Sequence, residues 1–216
     1  MSKEQTSPVL KWILIAIAVV SLCAMGVFVL FMTSPAKENH VAKKLEARGF
    51  VILYKQQGYY MTWEYPYLVV GKGLNITEDD SRLICQLPHL QYLRFEHCNL
   101  SGLNLDDIGK CRDLIAFICD DVTPFPAGEI RKLAICADID FVFKKCSLND
   151  SDLEDFAKWT TADYLFLEDN TEITDAVFEP LEKIGTLRHL EVKGASVTKE
   201  GVEEFQKKRP DVEVVL

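Results

Sequence analysis

The feature that most constrains this chain is a repeat. Apolar residues recur on one pattern five times over, starting at residues 90, 114, 138, 162 and 187, so the steps are 24, 24, 24 and 25 residues. The pattern is apolar-x-x-apolar-x-apolar-x-x-(Asn/Cys)-x-apolar. Leu90, Leu93, Phe95, Cys98 and Leu100 fit it without a gap, and Leu187, Leu190, Val192, Ala195 and Val197 end the series. Between them, Leu114, Phe117, Cys119, Val122 and Pro124 fit more loosely, and Phe141, Phe143, Cys146 and Leu148 fit from the fourth position on. Ala162, Leu165, Leu167 and Asn170 come next, with Ile173 one residue late. Val69 and Ile76 extend the series back to a degenerate unit at residue 66. A fixed period of this length is the mark of a chain built from stacked coils.

Each part of the unit has a physical reading. The alternating apolar residues point to one side of a short strand. The Asn/Cys position turns the chain and offers a polar atom to the next coil. The return path carries apolar residues at helical spacing: Leu83, Ile84 and Leu87; Leu153, Phe156 and Ala157; Val177, Phe178, Leu181 and Ile184; Val202 and Phe205. Thr77, Asp150, Thr174 and Thr198 stand where helix N-caps are expected. No coil can bury its apolar side alone, so stability must come from stacking.

Over residues 66–216 the chain resembles the leucine-rich-repeat family. A short helix ended by Gly49, then strands, then repeats with a Thr-(Asp/Lys)-x-(Val/Gly) turn is similar to bacterial membrane-anchored members of it. The resemblance implies an α/β solenoid of about five to six coils, a binding role and no cofactor.

Trp12 to Met32 is an uncharged apolar run of 21 residues. As a helix it spans about 31 Å, close to the roughly 30 Å of a bilayer's hydrocarbon core. A cleaved signal peptide has a shorter apolar stretch, about 7–15 residues, and Ser34-Pro35-Ala36 is a poor cleavage site. A lipoprotein needs a small residue before its cysteine, whereas Cys23 follows Leu22. The expected organisation is a tail at 1–11, a transmembrane helix at 12–32, a juxtamembrane helix and cap strands at 33–65, and the repeat domain at 66–216. Lys37, Lys43, Lys44 and Arg48 favour a cytoplasmic C-terminal side. The short N-terminal tail favours the reverse, and N-in/C-out is the orientation expected.

Charge narrows the partners. Up to residue 50 there are six Lys/Arg against three Asp/Glu, +3, and beyond it 18 against 30, −12. A domain this acidic repels phosphate backbones, which argues against nucleic acid. The seven cysteines include no C-x-x-C pair, and the four histidines are scattered with no H-E-x-x-H. Cys98 and Cys146 hold one ladder position two coils apart, about 10 Å, too far for a disulfide. A Cys111–Cys136 bridge stays open. The acidic cluster Asp150, Asp152, Glu154 and Asp155 lacks calcium-loop spacing and fits a helix start. Asn75, Asn99 and Asn149 head N-x-S/T triplets and are read as turn residues. No catalytic motif is present, and no enzyme activity is expected.

What remains is the exposed side of the strands. The fifth position of each unit gives Arg94, Ile118, Val142, Phe166 and Glu191, and the third gives Tyr92, Ala116, Asp140, Tyr164 and His189. The seventh gives a charged row, Glu96, Asp120, Lys144, Glu168 and Lys193. An apolar centre, aromatic neighbours and a charged rim form the usual anatomy of a protein contact. The expected partner-binding residues are therefore Tyr92, Arg94, Ile118, Val142, Tyr164, Phe166 and His189. The expected role is a membrane-anchored protein-interaction module that uses this concave face of the solenoid, with a membrane-associated protein partner. The alternative is a structural or assembly subunit that self-associates, as a homo-oligomer, or accompanies an enzyme.

Overall fold

A computed structural model describes residues 40–57, 63–126, 129, 132–133, 139–159 and 161–216. The apolar run 12–32, with its expected tail and orientation, lies outside the described residues, and so does Cys136. Among the described residues no helix is long and apolar enough to cross a membrane.

A helix, α1 (residues 40–47), opens the described chain and ends at Gly49, whose φ of +97° favours a residue without a side chain. Eight strands follow: β1 (Val51–Gln57), β2 (Trp63–Lys72), β3 (Tyr92–Glu96), β4 (Ala116–Asp120), β5 (Asp140–Lys144), β6 (Tyr164–Phe166), β7 (His189–Glu191) and β8 (Glu213–Val215). They form one sheet in sequence order. β1 and β2 are antiparallel, and every later pair is parallel. A parallel sheet in strict sequence order, one strand per repeat, is a coil wound in one direction.

The register explains why the period is constant. Val69, Leu93, Phe117 and Phe141 are paired in succession, and Phe141 continues to Leu165 and Leu190. All six are buried. Two residues on, Phe95, Cys119 and Phe143 repeat the pattern. The rings of Phe95, Phe117 and Phe143 follow one another edge to face at 6.1 and 6.4 Å, and Phe156 closes on Phe141 at 4.9 Å. Removing one such ring should cost about 3–5 kcal/mol through lost burial and the cavity left.

The return path is helical where caps start it. α2 (Glu78–Ile84) begins at Thr77, which forms a capping box with Asp80. α3 (Leu105–Ile108) begins at Asn104, whose Oδ1 accepts from the N–H groups of Asp106 and Asp107. α4 (Asp150–Trp159), a 3-10 turn (Asp175–Val177) running into α5 (Phe178–Leu181), and α6 (Lys199–Lys208) complete the series. Thr174 and Thr198 cap as expected.

Asp150 does not. Asn149 accepts from the N–H groups of Ser151 and Asp152 and is the cap of α4. Asp150 instead reaches across to the next coil, accepting from the Thr174 N–H at 2.9 Å and hydroxyl at 2.7 Å. Asp175 does the same to Thr198. The acids at these helix starts therefore also clasp one coil to the next. Gly102 sits where the first two return paths touch, since a Cβ there would lie 2.5 Å from the Ile76 carbonyl oxygen.

The Asn/Cys position is used most fully at Asn170, which is completely buried. Its oxygen accepts from the N–H groups of Cys146 and Leu148, and its amide donates to the carbonyls of Phe143 and Glu168. Four hydrogen bonds satisfy the side chain and neighbouring backbone together, so little penalty remains for burying it.

One boundary shifts. The line expected between cap and repeats, at 65/66, falls inside β2. The hairpin β1–β2 is hydrogen-bonded into the repeat sheet and belongs to it.

Candidate partner-binding face

The strand residues between the buried positions form the outer rows of the sheet. Arg94, Ile118, Val142 and Phe166 are paired in succession across β3 to β6, and Phe166 pairs on to Glu191. At one strand spacing per coil, Ile118, Val142 and Phe166 make an apolar line about 10 Å long. Tyr164 stands beside Phe166 and is 47% exposed. His189 lies across both, with ring centroids 5.9 Å from Tyr164 and 5.3 Å from Phe166, and its Nδ1 is 3.2 Å from Glu213 Oε2. These five expected residues come together as one patch.

Tyr92 and Arg94 lie one coil toward the N-terminus. Tyr92 meets Tyr67 edge to face at 6.1 Å. The Arg94 guanidinium is drawn to the charged row, with Nε 2.7 Å from Glu96 and Nη2 3.7 Å from Asp120. Ala116, expected in the exposed third row, is buried. It is paired with Tyr92 on one side and Asp140 on the other, both longer residues.

The charged row is paired from end to end. Lys72 holds Glu96, Arg94 holds Glu96 and Asp120, Lys144 holds Glu168, and Lys193 holds Glu191. Glu96 is pulled below its ordinary value first by the hydrogen bond from Lys72, and Lys144 is pushed above its own by Glu168. The opposite margin differs. Burial pushes Asp140 up, and the neighbouring Asp163 carboxylate pushes it further.

The face extends further at its N-terminal end than the repeat pattern predicts. Val51 and Leu53 of β1 pair with Val70 and Leu68 of β2, which pair with Arg94 and Tyr92. Val51 is 54% and Leu53 44% exposed. The outer rows therefore run onto the hairpin, and the alternation of Val51-x-Leu53 and Leu68-x-Val70 carried that information.

Cys85, Cys98, Cys119 and Cys146 are free thiols. Burial raises all four, Cys119 well above its ordinary value and Cys146 to about 12. Among the described residues no group of three or more His, Cys, Asp or Glu is placed to hold a metal ion.

The step of one parallel strand per 24 residues, the buried alternate positions and the asparagine turn settle the architecture. The fold is a leucine-rich-repeat-like solenoid. No protein-family model matches the chain. No curated protein sequence matches it. Among solved structures, a leucine-rich-repeat protein of Leptospira interrogans is similar over 62% of this chain, with 21% identity and a TM-score of 0.43. The matched part of this chain spans about a third of that protein's length, 33%.

Proposed function

We propose that this chain is a membrane-anchored protein-binding module, with no catalysis of its own, that engages a partner through the outer face of its sheet. One observation carries the reading: Ile118, Val142 and Phe166 lie in consecutive register on the side opposite the core. Apolar side chains in a line on a surface gain nothing from water, and contact with an apolar partner is their physical use. The anchor in this reading is the uncharged run 12–32, oriented N-in and C-out. A tether of that kind raises the local concentration of a membrane-associated partner.

The test uses the full-length chain. It should stay in the pellet on carbonate extraction of membranes. Phe166→Glu and Val142→Glu should each abolish partner recovery while leaving the melting temperature nearly unchanged, because no core atom is removed. Variants that fold and recover every partner would place the binding surface elsewhere, and a mature N-terminus near residue 37 would remove the anchor.

A further inference from the structure

The two margins of the outer face carry different charge. On the margin of the seventh positions, together with Arg94 and Glu191, four cations (Lys72, Arg94, Lys144, Lys193) face four acids (Glu96, Asp120, Glu168, Glu191), a net of zero. Each of the eight is in an ion pair. On the margin of the third positions, Arg188 is matched by Asp211, and Glu213 is met by the ring of His189. Asp140 and Asp163 are left. Asp140 accepts a hydrogen bond from the backbone of Tyr164, and its close charged neighbour is Asp163, of the same sign. Among the described residues neither has a Lys or Arg nitrogen within 4.0 Å. Among the described residues, two like carboxylates without an ion-pair partner thus stand beside Tyr164 and the apolar line.

We propose that the partner presents an extended segment pairing apolar side chains with a basic one, the apolar ones on Ile118, Val142 and Phe166 and a lysine or arginine between Asp140 and Asp163. This rests on the reading of the outer face as the binding surface. The cation relieves the repulsion between the carboxylates. Its apolar stem lies along the face, and its charge sits against the Tyr164 ring, where the π-cloud adds to the attraction. The sign of the charge argues against other occupants. An anionic lipid surface or an acidic segment meets the same unpaired acids. So does a second copy presenting this face, since it brings Asp140 and Asp163 with it. The paired margin supplies no comparable preference, because its cations are already engaged.

The probe is a set of fluorescein-labelled extended peptides with alternating leucines and Lys, Arg, Gln or Glu between them, read by anisotropy on the full chain in detergent micelles. Lys and Arg peptides should bind at least about ten-fold more tightly than Glu peptides. The double variant Asp140→Asn, Asp163→Asn should erase that difference while Leu-dependent binding persists. Phe166→Glu should remove binding of every peptide. Equal binding of all four sets, with Phe166→Glu still disruptive, would overturn the basic partner and leave the apolar site standing. Peptide binding indifferent to Phe166→Glu would overturn both readings. Concentration-dependent self-association lost in Phe166→Glu would make a second copy the occupant and overturn the proposal.

Discussion

An arginine closes each end of this stack, and the two do so with different partners. At the N-terminal end Arg48 leaves α1 and meets Asp80 in α2, with Nε 2.5 Å from one carboxylate oxygen, and donates to the Thr77 hydroxyl at 2.7 Å. The other oxygen of Asp80 accepts from the N–H and the hydroxyl of Thr77. The Asp80 side chain is 3% exposed. At the C-terminal end Arg209 donates to the carbonyls of Glu182, Ile184 and Leu187, which follow α5. Its charge is met by Asp211, a half-exposed group. One end is thus held by a charge pair whose acid is buried. The other is held by neutral carbonyls, with the counter-ion in water. The same residue type gives one end a strong dependence on its partner and the other a forgiving one.

The largest expected effect tests the first half of that contrast. Arg48→Ala strands a buried carboxylate and should lower stability in urea unfolding by about 3–5 kcal/mol. A loss below about 1 kcal/mol would mean that Asp80 finds water, and the ends would be equivalent. Arg209→Ala should cost less, about 1–3 kcal/mol, because the released carbonyls lie at the end of the stack where water can replace the donor.

Acid sharpens the second half. The Arg209 guanidinium holds Asp211 at about 2, below its ordinary 3.8. A carboxylate lowered in the folded state contributes stability above its unfolded value and loses it as pH falls through the folded one. Urea midpoints of the protein and of Asp211→Asn should therefore differ at neutral pH and converge as pH approaches 2. A gap that persists there would place the effect in packing. The smallest effect concerns the exposed apolar edge of the N-terminal end. Val51→Ser and Leu53→Ser should each lower stability by only about 0.5–1 kcal/mol, because about half of either side chain already faces water.

The period and the face were legible because both follow from alternation. Leu93 and Phe95 point inward, so Tyr92 and Arg94 must point out, and one correct coil sets the register of the rest. Hydrogen bonds between coils were less legible. Asn149 and Asp150 are both good caps, and nothing local says which oxygen turns back to its own helix and which crosses to Thr174. The hairpin was split because a period of 24 residues has no meaning for the antiparallel strand β1, although the alternation passes through it unbroken. The charged rim could be read as charged, but its pairing could not. Lys144 finds Glu168 across 24 residues only once the coils are stacked. That Asp140 and Asp163 have no ion-pair partner among the described residues depends on the same stacking.

The buried thiols have a kinetic consequence. Each coil touches only the two beside it, so the stack can open from either end a coil at a time. Cys98, Cys119 and Cys146 sit in successive coils, and their side chains reach a reagent only when their own coil has come apart. Protonated and enclosed, they stay silent in the intact stack. The order in which they are alkylated is a clock that reads which end frays first and how far the opening has travelled.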